Sequence, residues 1–143
     1  MTSSIFPDVN VWLALSYPAH MHQPIAAAWF ASLDQTAALV FCRHTQLSLF
    51  RLMTTAAVLG PDVMTQKQCW AFYDRLIASG KATLAREPVG LDAALRLRST
   101  SGFVSPKAWA DAYLAAFAEA AHWTLVTFDR ALAGKVHGAM LLS

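Results

Sequence analysis

Short apolar runs separated by helix-spaced segments constrain the fold of this chain more than any other feature. Residues 5–7, 38–42 and 124–127 each read as a buried strand. Residues 82–84 add a weaker strand candidate and residues 139–142 a last one. Pro7 suits the end of its strand, because proline has no N–H to give to a ladder.

Between these runs the apolar spacing turns helical. A helix is expected over residues 9–15, stopping near Pro18. A second opens at Pro24 and buries Ile25, Ala28, Trp29 and Leu33. Thr45 is the expected N-cap of a third, which carries Leu49, Phe50, Leu52 and Met53. Gly60-Pro61-Asp62 breaks the chain. The next helix, residues 65–78, puts Cys69, Trp70, Tyr73, Leu76 and Ile77 on one side and ends at Gly80. A short helix over 91–97 follows. Ser105 and Pro106 then start one that runs to about residue 121. Strands alternating with helices predict a three-layer α/β/α sandwich around a parallel sheet of four to five strands, with residues 1–143 as one domain.

Composition narrows the class. Hydrophobic residues make up 56% of the chain, charged residues 14%, and mean hydropathy is +0.38, which excludes a disordered tail. No apolar run approaches the roughly 18–20 residues needed to span a bilayer. The start, Met-Thr-Ser-Ser, lacks the basic region of a secretory signal, so a cytoplasmic protein is expected. Cys42 and Cys69 lie in apolar segments without CxxC spacing and read as buried thiols. A net charge of +2 permits a nucleic-acid substrate without requiring one.

Only nine residues are acidic, which makes the places of three of them informative. Asp8 follows the first strand-like run, Asp129 follows the run at 124–127, and Asp111 lies in the second turn of the helix before it. In open α/β sheets ligands bind beyond the carboxyl ends of the strands, so Asp8 and Asp129 fall on that edge. A carboxylate among apolar residues is costly to desolvate unless paired. A shared divalent cation would offset both that cost and the mutual repulsion. Helix capping, turns and surface exposure are the other uses open to each aspartate.

The segments Asp8-Val9-Asn10-Val11, Trp109-Ala110-Asp111-Ala112-Tyr113-Leu114 and Thr127-Phe128-Asp129-Arg130 occur in the order found in PIN-domain ribonucleases. The chain most resembles the VapC toxins of bacterial toxin–antitoxin pairs, along nearly its whole length. Arg43-His44-Thr45-Gln46-Leu47-Ser48-Leu49-Phe50-Arg51-Leu52 is similar to the helix after the second strand there. The resemblance implies a Mg²⁺- or Mn²⁺-dependent endoribonuclease with Asp8, Asp111 and Asp129 as metal-site carboxylates. Asn10 and Thr127 match positions that support the site by hydrogen bonds. It also implies an RNA substrate such as tRNA or ribosomal RNA, a cognate antitoxin and a homodimer. Hard oxygen ligands agree with such a metal.

One departure stands out: Gln46 occupies the place where the family usually has a glutamate. Its amide oxygen can hold a metal-bound water but brings no charge. The expected consequence is weaker metal binding, or a site that fills only when RNA phosphate supplies ligands; the alternative is a PIN-fold module that binds RNA or antitoxin without turnover. Glu119 is no replacement, standing about 12 Å along a helix from Asp111. Glu87 and Asp92 match no motif. Arg43, Arg51, Lys107 and Arg130 are candidate RNA contacts, with Arg43 and Arg51 also open to a protein partner. His20 and His22 form an unspecific HxH pair in a loop before Pro24. A haloacid-dehalogenase-like phosphatase would need an acid two positions after Asp8, where this chain has Asn10.

Overall fold

The computed structural model describes residues 4–143. Five strands form one parallel sheet: β1 (Ser4–Pro7), β2 (Ala38–Phe41), β3 (Ala82–Leu84), β4 (Thr124–Thr127) and β5 (Met140–Leu141), in the order β3-β2-β1-β4-β5. Ile5 pairs with both Leu39 and Thr124, and Pro7 with Val126. The chain leaves β1 toward β2 and β3, then returns to add β4 and β5 on the other side. The strand order therefore reverses between β1 and β4, the place where such sheets form a crevice. Pro7 ends its strand, and the next amide, Asp8 N–H, continues the pairing by donating to Val126 O at 2.9 Å.

Helices cover both faces of the sheet. On one lie α1 (Val9–Ser16), α2 (Gln23–Ser32), α3 (Arg43–Met53), α4 (Ala56–Leu59) and α5 (Gln66–Ala78), with a 3₁₀ turn at Gly60–Asp62 after α4. The other holds α6 (Leu91–Arg98), α7 (Pro106–Ala121) and α8 (Arg130–Ala133). Strand alternation sorts the core accordingly. Ile5, Phe41 and Val126 join Trp12, Leu49, Met53 and Tyr73 in one cluster. Phe6 and Leu125 join Leu114, Phe117 and Leu132 in the other. Trp12 stacks on Phe41 with centroids 3.7 Å apart, and Phe6 on Phe117 at 4.9 Å. This is the expected α/β/α sandwich. Among the described residues no helix is long and apolar enough to cross a membrane.

Local chemistry explains where the elements begin. Thr65 caps α5: its hydroxyl accepts from Gln68 N–H, and Gln68 Oε1 accepts from Thr65 N–H. Gly80 follows α5 with φ of 77°, a left-handed conformation that glycine adopts without cost. Cys42 and Cys69 are buried free thiols.

Three expectations are corrected. Thr45 is not the N-cap of α3; Cys42 is, and α3 starts at Arg43. The Thr45 hydroxyl instead accepts from Cys42 N–H at 3.0 Å, taking the place of a capping-box acid. Trp70 is no core residue. It is 47% exposed and packs edge-on against Phe50 and Tyr73, because the buried stripe of α5 passes through Cys69 and Tyr73. On α2 the buried positions are Ala26 and Trp29, with Ala28 facing solvent.

Phe41→Ala removes the aromatic that Trp12 and Tyr73 both pack against. A loss of about 3–5 kcal/mol is expected, measured as a lowered urea midpoint with an unchanged slope.

Candidate active site

Asp8 leaves β1 and caps α1. Its Oδ1 accepts from Asn10 N–H at 3.0 Å and Val11 N–H at 3.3 Å, while Oδ2 accepts a short hydrogen bond from the Thr127 hydroxyl. Asp8 is buried. Burial pushes its carboxyl above the usual range, the Thr127 and amide hydrogen bonds oppose that rise, and the charge of Asp129 adds to it.

Thr127 ends β4 and faces both ways. Its hydroxyl donates to Asp8, and its oxygen accepts Asp129 N–H at 2.9 Å. Asp129 in turn caps α8, its Oδ1 taking Ala131 N–H at 2.9 Å and Leu132 N–H at 3.1 Å. That leaves Oδ2 for the ammonium of Lys107 at 3.0 Å. The Lys107 contact, followed by the Leu132 amide, holds the Asp129 carboxyl below the usual range.

Asp111 projects from the second turn of α7 and is 8% exposed. Lys107, one turn earlier on α7, reaches its Oδ2 at 3.0 Å and its Oδ1 at 3.3 Å. Lys135 Nζ stands 3.6 Å from Asp111 Oδ2. One ammonium thus joins Asp111 to Asp129, and one hydroxyl joins Asp8 to Asp129. The Lys107 ammonium is held in its charged form by Asp111 first and Asp129 second.

Among the described residues no three His, Cys, Asp or Glu side chains stand close enough to enclose a metal ion. The chemistry of the donors nevertheless fits a hard divalent cation. Every donor is a carboxylate oxygen, and the Oδ2 atoms of Asp111 and Asp129 already converge on one positive charge.

The other candidate residues make contacts of their own. Asn10 is exposed and meets Asp8 through its backbone. Gln46 is buried on α3, and its Oε1 accepts from the Arg43 guanidinium at 2.6 Å. Burial pushes the Tyr73 phenol up, an effect that the neighbouring Gln46 amide opposes. Arg43, Arg51 and Arg130 are exposed and enter no ion pair among the described residues. Glu119 is committed to Arg98 at 2.7 Å and Asp92 to Arg96 at 2.9 Å, so neither supplies the charge that Gln46 lacks. The His20–His22 pair is closed locally: His20 Nδ1 accepts His22 N–H at 3.0 Å, and the His22 ring stacks on Phe128. Lys135 is the neighbour that sequence reasoning missed. No motif marks it, since only the α8 turn brings it back to Asp111.

Comparison with known proteins bears on the family and the fold. Residues 5–136 match the family model described as "PIN domain". Ribonuclease VapC41 of two Mycobacterium tuberculosis strains, CDC 1551 and H37Rv, is 40% identical to this chain, over 87% of the chain and 88% of the relative. Among solved structures, M. tuberculosis VapC20, described as a sarcin–ricin loop cleaving toxin, superposes with a TM-score of 0.62 at 16% identity. That likeness covers 91% of this chain and 93% of the other. PAE2754 from Pyrobaculum aerophilum superposes with a TM-score of 0.56 at 22% identity, covering 97% and 83%. Both structural likenesses concern the fold.

The raised Asp8 carboxyl makes ionisation at this position a cost to the fold. Its contribution to stability is fully present below the unfolded-state value and is lost as pH rises through the folded value. Asp129, lowered, acts in the opposite sense and loses its contribution as pH falls. Subtracting the pH–stability curve of Asp8→Asn from that of the parent chain is expected to leave a difference that declines with rising pH. Thr127→Val strips the donor from Asp8 and the acceptor from Asp129 N–H, at an expected cost of about 1–3 kcal/mol. Urea denaturation across pH 3–8, with about half-unit steps through the carboxylate range, checks both.

Proposed function

The chain belongs to the PIN-domain family, and from that premise we propose that it is a metal-dependent endoribonuclease, the toxin of a toxin–antitoxin pair. Its relatedness to VapC ribonucleases supports nuclease activity. The observation that carries the finer reading is the convergence of Asp111 and Asp129 on a single cation, with Asp8 joined to Asp129 through Thr127. Asp8, Asp111 and Asp129 would hold Mg²⁺ or Mn²⁺. When bound, such an ion supplies an activated water and neutralises charge developing on the phosphate.

The chain's own groups do the rest. Thr127 and the amides of Asn10 and Val11 hold Asp8 in one orientation. Capping of α8 leaves the Oδ2 atom of Asp129 facing the site. Arg43, Arg51, Lys107 and Arg130 offer cations for RNA phosphates, which position a strand without reading its sequence. The resemblance to VapC toxins favours a structured RNA, ribosomal or transfer, as the substrate here. The expected products carry 5′-phosphate and 3′-hydroxyl ends. A cytoplasmic location, a cognate antitoxin, a homodimer and one PIN domain over residues 1–143 complete the reading.

Gln46 favours a second reading. A neutral amide held by Arg43 stands where an acid is expected, which suits a module that binds RNA or antitoxin without turnover. The two readings separate on total cellular RNA incubated with antitoxin-free protein, in Mg²⁺, in Mn²⁺ and in chelator. A nuclease yields discrete fragments that need metal and fall by about 10²-fold or more in Asp8→Asn, equivalent to about 2.7 kcal/mol of transition-state stabilisation. Absence of cleavage in the parent chain with its appearance in Gln46→Glu would establish the second reading instead.

A further inference from the structure

We propose that Lys107 is a resident counter-cation of the carboxylate cluster, displaced when a divalent ion enters and then turned toward the RNA phosphate. This rests on the metal-site reading above. The Lys107 ammonium lies 3.0 Å from both Asp111 Oδ2 and Asp129 Oδ2 and 3.3 Å from Asp111 Oδ1. Those are carboxylate oxygens that would hold a divalent ion. Two cations cannot share them: contact distances leave no room, and their charges repel most strongly where water is thinned.

The two partners differ in how firmly they are held. The Lys107 side chain is 67% exposed, whereas that of Asp111 is 11% exposed. Asp111 is fixed by α7, whose Ala112 and Leu114 to Ala118 are buried in the core. Asp129 is fixed by two amides on its own Oδ1 and by Thr127 on its backbone. The carboxylates therefore stay in place when the lysine leaves. Lys107 can leave cheaply, since it belongs to the first turn of α7 and carries its charge on a flexible four-carbon stem.

Displacement keeps the ammonium on its tether beside the site. The next anion to arrive is the substrate phosphate, which a lysine binds as a point charge. Lys107 is thus a positioning residue with two successive partners. Until metal arrives it limits the repulsion between Asp111 and Asp129, and it lowers the apparent affinity for the metal in the same measure. Lys135, at 3.6 Å from Asp111 alone, touches one carboxylate and competes less.

The test is Mn²⁺ binding by the full-length chain without RNA, followed by calorimetry and by loss of the free-ion paramagnetic signal. Lys107→Met and Lys107→Gln are expected to bind Mn²⁺ about tenfold or more tightly than the parent. Lys107→Arg, which keeps the charge, is expected to stay near the parent affinity, and Lys135→Met to remain within about twofold of it. Circular dichroism confirms that each variant is folded. Equal or weaker affinity in both neutral variants, with binding abolished in Asp111→Asn, overturns the role of Lys107 while leaving the metal site standing. Absence of Mn²⁺ binding in the parent and in both neutral variants overturns the metal reading and this inference together.

Discussion

The hydroxyl of Thr127 is the point on which the carboxyl edge of this sheet depends. Parallel pairing of β1 with β4 brings the end of β4 alongside Asp8, and the hydroxyl then donates to Asp8 while accepting from Asp129 N–H. The carboxylate of Asp8 and the backbone of Asp129, more than a hundred positions apart in sequence, are thereby joined through one oxygen. The same two aspartates cap the helices that leave this edge, α1 and α8. Capping and site chemistry are one use of these residues, not competing ones: each carboxylate spends Oδ1 on helix amides and turns Oδ2 toward the cluster.

That division places opposite electrostatic demands on neighbouring groups. Asp8 is buried and its ionisation is disfavoured, while Asp129 is stabilised as an anion by Lys107 and by amides. A site that gathers negative charge on a low-dielectric edge stores a cost in the fold that an incoming cation would relieve. The lysine between Asp111 and Asp129 offsets part of that cost from within the chain. On the metal-site reading proposed above, stability and readiness for a cation would be set against each other, as is common where a site is preorganised.

Gln46 belongs to the same economy of charge. A glutamate there would bury an acid, whereas the amide engages Arg43 at the start of α3 and neighbours the Tyr73 phenol.

Much of this was legible in the residues themselves. The strand-like runs, the alternation with helices and Pro106 at a helix start follow from local chemistry, which neighbours in sequence impose on one another. Asp8 and Asp129 could be assigned to one edge because each lies within two residues of a strand's end, and Lys107 stands one helical turn from Asp111. Other features needed the folded chain. Cys42 caps α3 because the β2–α3 turn brings Thr45 N–H to its sulfur and Cys42 N–H to the Thr45 hydroxyl. The direction of the α5 stripe, which leaves Trp70 outside, is set by what packs against it. Lys135 reaches Asp111 only through the turn of α8, and Asp8 meets Thr127 only through sheet order. Local propensity and spacing act over a few residues, so they specify elements and their ends. Which ends meet is decided by strand pairing at long range, and the site exists only where those ends meet.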